Sequence, residues 1–77
     1  MNISGGERMK ANLKLKVLRQ SKGLSQEDMA RKINMPTTTY VKKETGKTKF
    51  YIDEAYLISK ILERDIEDIF FNKLVSI

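Results

Sequence analysis

The 77-residue sequence contains neither cysteine nor histidine. Without thiols it has no disulfide, thiolate metal site or thiol nucleophile, and without imidazole it lacks the side chain that most often serves as a base near neutral pH or as a metal ligand. Most hydrolase chemistry and zinc sites are thereby removed. No catalytic residue, metal or cofactor is expected. Tryptophan is absent too, and a single proline, Pro36, punctuates the chain. No apolar run approaches the ~18 residues of a membrane span, and the first residues lack the apolar stretch of an export signal. The expectation is a cytoplasmic protein with no membrane partner.

What is present is cationic charge, unevenly placed. The net charge is +5, with 12 Lys and Arg against 4 Asp and Glu in residues 1–50, and 3 against 6 in residues 51–77. Such segregation is the electrostatic footprint of a nucleic-acid protein. An anionic membrane surface would attract the same half, but no apolar face rich in Trp, Phe and Leu lies beside the cations. A chain this short forms one domain, burying only about 60% of the surface its unfolded form exposes.

The stretch from Ser25 to Gly46 reads as two short helices around a tight turn. Ser25 followed by Asp28 is a variant capping box, Leu24 and Met29 are spaced as a hydrophobic staple, and Met29, Ala30 and Ile33 form an inward stripe. Asn34 tolerates the left-handed conformation that ends helices, and Pro36 suits the entry of the next one. That next helix, 36–43, places Pro36, Thr39, Tyr40, Lys43 and Glu44 on one half of its wheel and Thr37, Thr38, Val41 and Lys42 on the other. The first half packs inward through Tyr40. The second half, small side chains and one long cation, suits the DNA major groove: threonine offers a hydroxyl and a methyl, valine methyls, and lysine a donor to guanine. On these residues alone a solvated amphipathic helix fits equally well.

Taken together in order and spacing, Leu18-Arg19, Lys22-Gly23-Leu24-Ser25-Gln26, Met29-Ala30, Ile33-Asn34-Met35 and Glu44-Thr45-Gly46-Lys47 resemble the helix-turn-helix family of phage repressors, the xenobiotic-response-element type. The resemblance spans about residues 15–70 and implies an all-α fold of five helices. It implies base contacts by Thr37, Thr38 and Lys42, to which the outward half of the wheel adds Val41, and a backbone phosphate contact by Gln26. It further implies a partly buried ion pair between Arg19 and Glu44, whose negative charge would otherwise be disfavoured near the carboxyl end of its helix. Two residues depart from the family pattern. Lys43 stands where an apolar side chain is usual, so its stem is expected to fill the site while its ammonium snorkels out beside Phe50. Pro36 replaces a serine-like cap that often touches phosphate.

The remaining segments follow from composition and period. Residues 1–10 read as a flexible arm, either frayed or, through Arg8 and Lys10, laid against phosphates. Between Ala11 and Lys22 an alternation at Leu13, Leu15 and Val17 competes with the helical spacing of Ala11, Leu15, Leu18 and Lys22. Helix-forming composition and Gly23 as a stop favour helix. Gly46-Lys47-Thr48-Lys49 is a turn whose amides and lysines suit phosphate, or simply solvent. Phosphate contacts are accordingly assigned to Gln26, Thr39, Lys47, Lys49, Lys10 and Lys22. Ile52, Ala55, Tyr56, Ile58, Ser59 and Leu62 are read as a core stripe, and Asp65 as the cap of a last helix, 66–71. The domain is placed at 11–71, followed by an apolar tail, 72–77. Phe70, Phe71, Leu74, Val75 and Ile77 are more apolar surface than one short helix buries. They suggest a homodimer contact or a fold back onto the core. The expected function is a small phage or prophage repressor that binds double-stranded DNA. The alternative is an antirepressor or antitoxin that grips a protein partner, a repressor or a toxin, with the same fold.

Overall fold

The computed structural model describes residues 12–71, which form five helices and no strand. They are α1 (Leu13–Ser21), α2 (Gln26–Lys32), α3 (Thr37–Glu44), α4 (Ile52–Leu62) and α5 (Ile66–Phe70). The arm at 1–10 and the tail at 72–77 lie outside the described residues.

Local chemistry sets the helix ends. Ser25 Oγ accepts the Asp28 amide and the Asp28 carboxylate accepts the Ser25 amide, both at 2.9 Å, closing the expected capping box. The Ser25 amide holds the Asp28 carboxyl below its ordinary value of 3.8. This cap therefore lends stability above the ordinary carboxylate range and withdraws it as pH falls through the lowered value. Carboxyl ends reuse one device, a residue at positive φ whose neighbours' amides turn back to the last free carbonyls. After α1, Gly23 has φ 74°, and the amides of Gly23 and Leu24 donate to the carbonyls of Gln20 and Arg19. Asn34, at φ 59°, does the same after α2, with Met35 donating to Ala30. Together, Asn34 and Pro36 confine the turn between α2 and α3 to four residues, Ile33 to Pro36.

One core joins all five helices. Leu15, Met29, Ala30, Ile33, Tyr40, Ile58, Leu62 and Ile69 form its buried cluster, and Leu18, Leu24, Met35, Phe50, Ile61 and Phe70 pack around it. In α1 the competing periods resolve because Leu15 and Arg19 point inward while Leu13 and Val17 stay in solvent.

One expectation about packing is corrected. Ile52 and Tyr56 are not core: they are 74% and 52% exposed, while Ala55, Ile58, Ser59 and Leu62 are buried. At ~100° per residue Ile52 and Tyr56 sit on the shoulder of the apolar stripe, and α5, only five residues long, is too short to cover it. Phe70 is half-buried and packs against the core, with its ring edge-on to Phe50 at 5.4 Å, as the fold-back alternative for the apolar tail expects of this residue. Asp65 does occupy the cap position of α5 but makes no side-chain cap bond.

Tyr40 shows what this packing costs. Its ring is fully buried, and its hydroxyl lies against Arg19 and Glu44 without a well-aligned hydrogen bond to any described residue. Burial first, then the charge of Glu44, pushes the phenol well above its ordinary 10.0. A buried hydroxyl left unsatisfied is unfavourable by about 1 to 3 kcal/mol. Tyr40→Phe is therefore expected to raise the unfolding free energy by about 1 kcal/mol, read from the urea midpoint. A lower midpoint would show that the hydroxyl has a partner after all.

Candidate nucleic-acid interface

The outward face of α3 is held from behind by a buried charge cluster. Arg19 in α1 donates through Nε and Nη2 to the two carboxylate oxygens of Glu44 at 3.0 and 2.9 Å, and through Nη1 to the Leu24 carbonyl at 2.6 Å. One guanidinium thus ties α1, the entry to α2 and the last turn of α3. The Glu44 hydrogen bond raises the Arg19 pKa above its ordinary value, against the opposing effect of burial.

Asn12 supplies a second clamp that the sequence reading missed. Its amide donates to the Glu44 carbonyl and its side-chain Nδ2 to the Lys43 carbonyl, both at 3.0 Å. The Glu44 carbonyl at the end of α3 is satisfied in this way, and the Lys43 carbonyl, which also accepts the Gly46 amide, gains a second donor. The signal in the sequence pointed elsewhere, because an asparagine ahead of a helix reads as its own cap, whereas Asn12 makes no such bond.

Lys43 corrects the snorkelling expectation. It is buried, and its ammonium donates to the Glu54 carboxylate at 2.9 Å and the Lys49 carbonyl at 3.1 Å, with the Tyr51 ring centroid 4.2 Å away. An acceptor sits inside the fold, so the ammonium has no need to reach water. Glu54 also accepts the Tyr51 amide at 2.8 Å, holding the start of α4.

With its inner face fixed, α3 turns Thr37, Thr38 and Lys42 to solvent, with Val41 half-buried beside them. Thr39 is half-buried too, and lines a groove with Pro36, Lys42, Thr48 and Lys49. Gln26 is half-buried in the first turn of α2. Lys47 and Lys49 are exposed on the loop after α3. The loop amides are less available than expected: those of Gly46, Lys47 and Thr48 already donate to the Lys43 and Lys42 carbonyls. The loop's remaining donors are chiefly its side chains. Lys10 lies outside the described residues.

The cations divide into two sets. On the side built by α4 and α5, Lys14 meets Asp68 at 3.1 Å, Lys22 meets Glu63 at 3.3 Å and Arg64 meets Asp68 at 2.7 Å. Arg64 and then Lys14 draw the Asp68 carboxyl below its ordinary 3.8. Lys42, Lys47 and Lys49 form no ion pair with any described residue. Carboxylates of the acidic half thus engage Lys14, Lys22, Lys43 and Arg64, whereas the exposed Lys42, Lys47 and Lys49 have no such partner among the described residues. Among the described residues no group of acidic side chains could hold a metal ion, and no helix is long and apolar enough to cross a membrane.

A family model described as Helix-turn-helix matches residues 15–69, from the first turn of α1 to the last turn of α5. No curated protein and no solved structure matches the chain. The matched region contains the capped α2, the four-residue turn and the outward-facing α3 in the order that a helix-turn-helix requires. The chain belongs to the phage repressor-like helix-turn-helix family of DNA-binding transcriptional regulators.

Proposed function

We propose that this regulator reads double-stranded DNA sequence-specifically, as a phage or prophage repressor that occupies an operator and excludes polymerase. The observation that carries the reading is the outer face of α3, where Thr37, Thr38 and Lys42 are exposed while Arg19 and Glu44 lock the same helix from behind. In this reading Thr37, Thr38, Val41 and Lys42 meet base edges. Gln26, Thr39, Lys47 and Lys49 meet phosphates, joined by Lys10 from the arm and by Lys22 when it leaves Glu63. Phosphate contacts set register and base contacts set sequence. The protein acts in the cytoplasm without a cofactor.

Two copies bind paired half-sites in this reading. The exposed ridge of Ile52, Tyr56 and Phe71 supports such a contact. Leu74, Val75 and Ile77 extend it in sequence. The same ridge also favours a second reading, an antirepressor or antitoxin whose target is a protein.

Selection of binding sites from a randomised duplex pool separates the readings. The wild type is expected to enrich a palindrome. Thr37→Ala and Lys42→Ala should each weaken binding to it by about 1 to 3 kcal/mol and relax preference at one position of each half-site. No enrichment by folded protein would reject DNA readout and direct attention to a protein partner.

A further inference from the structure

Lys43 is buried and its partner Glu54 is half-buried, so this ion pair is largely withdrawn from water. Withdrawing charges from water even in part is costly, and well-packed apolar residues in their place are commonly as stable or more so. What the pair does that apolar side chains cannot is hold backbone. The ammonium binds the Lys49 carbonyl, and the same Glu54 oxygen binds both that ammonium and the Tyr51 amide. Tyr51 closes over the ammonium, and Phe50, between them in the chain, packs its ring against Tyr40 and Phe70. At the other end of the loop the amides of Gly46, Lys47 and Thr48 are bound to the end of α3. Both ends of a short loop are thus tied to α3 and α4, and the side chains of Lys47, Thr48 and Lys49 project from between the ties.

We propose that Lys43 and Glu54 are positioning residues for DNA binding: together they hold the 45–51 loop so that Lys47 and Lys49 meet backbone phosphates in fixed register with the base-reading face of α3. The inference rests on the reading of α3 as a DNA-recognition helix. Lys43 touches no DNA itself. Its role is exerted through the Lys49 carbonyl and through Glu54, and the sequence-reading side chains are independent of it.

The test uses the full chain with Lys43→Met and Glu54→Gln combined. Methionine keeps the buried stem and glutamine keeps an acceptor for the Tyr51 amide, so no charge is stranded. Lys47→Ala/Lys49→Ala is made in the wild type and in this double variant. On the duplex enriched by the wild type, where two copies each place Lys47 and Lys49, loss of the Lys43–Glu54 pair is expected to lower the salt-dependence slope by about 3 to 4 and to weaken binding at least about tenfold. The base preferences should stay unchanged. Removing Lys47 and Lys49 should have the same effect in the wild type and little further effect in the variant. Heteronuclear NOE values for residues 47–50 of the free protein should fall in the variant while those of α3 hold. A folded variant with an unchanged slope, an unchanged loop, or an undiminished response to the lysine substitutions overturns the positioning role. Wild-type protein that binds no duplex overturns the DNA reading, and this inference with it; wild-type binding with an unaltered variant overturns the inference alone.

Discussion

An Arg19→Met variant is expected to lose about 3 to 5 kcal/mol of unfolding free energy. Methionine replaces most of the arginine stem, so little of the loss comes from a void. The loss comes from Glu44, which is 2% exposed and receives two guanidinium hydrogen bonds that no solvent would replace. The Leu24 carbonyl loses its donor at the same time. Small domains have total stabilities of about 5 to 15 kcal/mol, so a change of this size leaves little in reserve. Urea unfolding followed by circular dichroism measures it. The companion variant Arg19→Met/Glu44→Met should recover much of the loss, because it strands no charge. A single-variant loss below about 1 kcal/mol would place the pair with solvated surface bridges, contrary to its burial.

The second large effect concerns binding. If two copies neutralise roughly 6 to 10 phosphates, affinity for the preferred duplex should fall by about 10³ to 10⁵ between 50 and 200 mM salt, as counterions return to the DNA. The free cations beside α3, Lys42, Lys47 and Lys49, are the described residues expected to carry most of this dependence. Lys14 and Lys22 should contribute less, being engaged with Asp68 and Glu63. Lys14→Ala is the internal contrast to Lys49→Ala: the first should leave the slope almost unchanged and the second, lost from both copies, should reduce it by about 2. Affinity nearly independent of salt, in protein that unfolds cooperatively, would argue that apolar contacts with a protein partner dominate instead.

These expectations rest on features of unequal legibility. The sequence by itself determined the local ones. Ser25 with Asp28 caps a helix because a hydroxyl and a carboxylate three residues apart reach each other's backbone amides. Gly23, Asn34 and Gly46 end helices because they tolerate positive φ. Thr37, Thr38, Val41 and Lys42 share one side of α3 because ~100° separates successive residues. Each of these follows from a few neighbouring residues, so the five-helix order and the outward face of α3 could be read before any coordinates.

Only the tertiary structure decided which neighbours each surface would find. The Arg19–Glu44 pairing was suggested by resemblance, but its burial and its link to the Leu24 carbonyl are properties of the packed fold. Asn12 clamps α3 because the start of α1 lies beside the end of α3, thirty-one residues away in the chain. Lys43 turns inward because Glu54 and the Lys49 carbonyl are folded against it, an acceptor set that helical periodicity cannot express. Ile52 and Tyr56 are exposed, and Phe70 is turned inward, because a five-residue α5 covers one part of α4 and not another. Local sequence determines what a side chain can offer. Whether that offer meets water, a counter-charge or a ring depends on contacts between residues distant in the chain, and those exist only once the helices have packed.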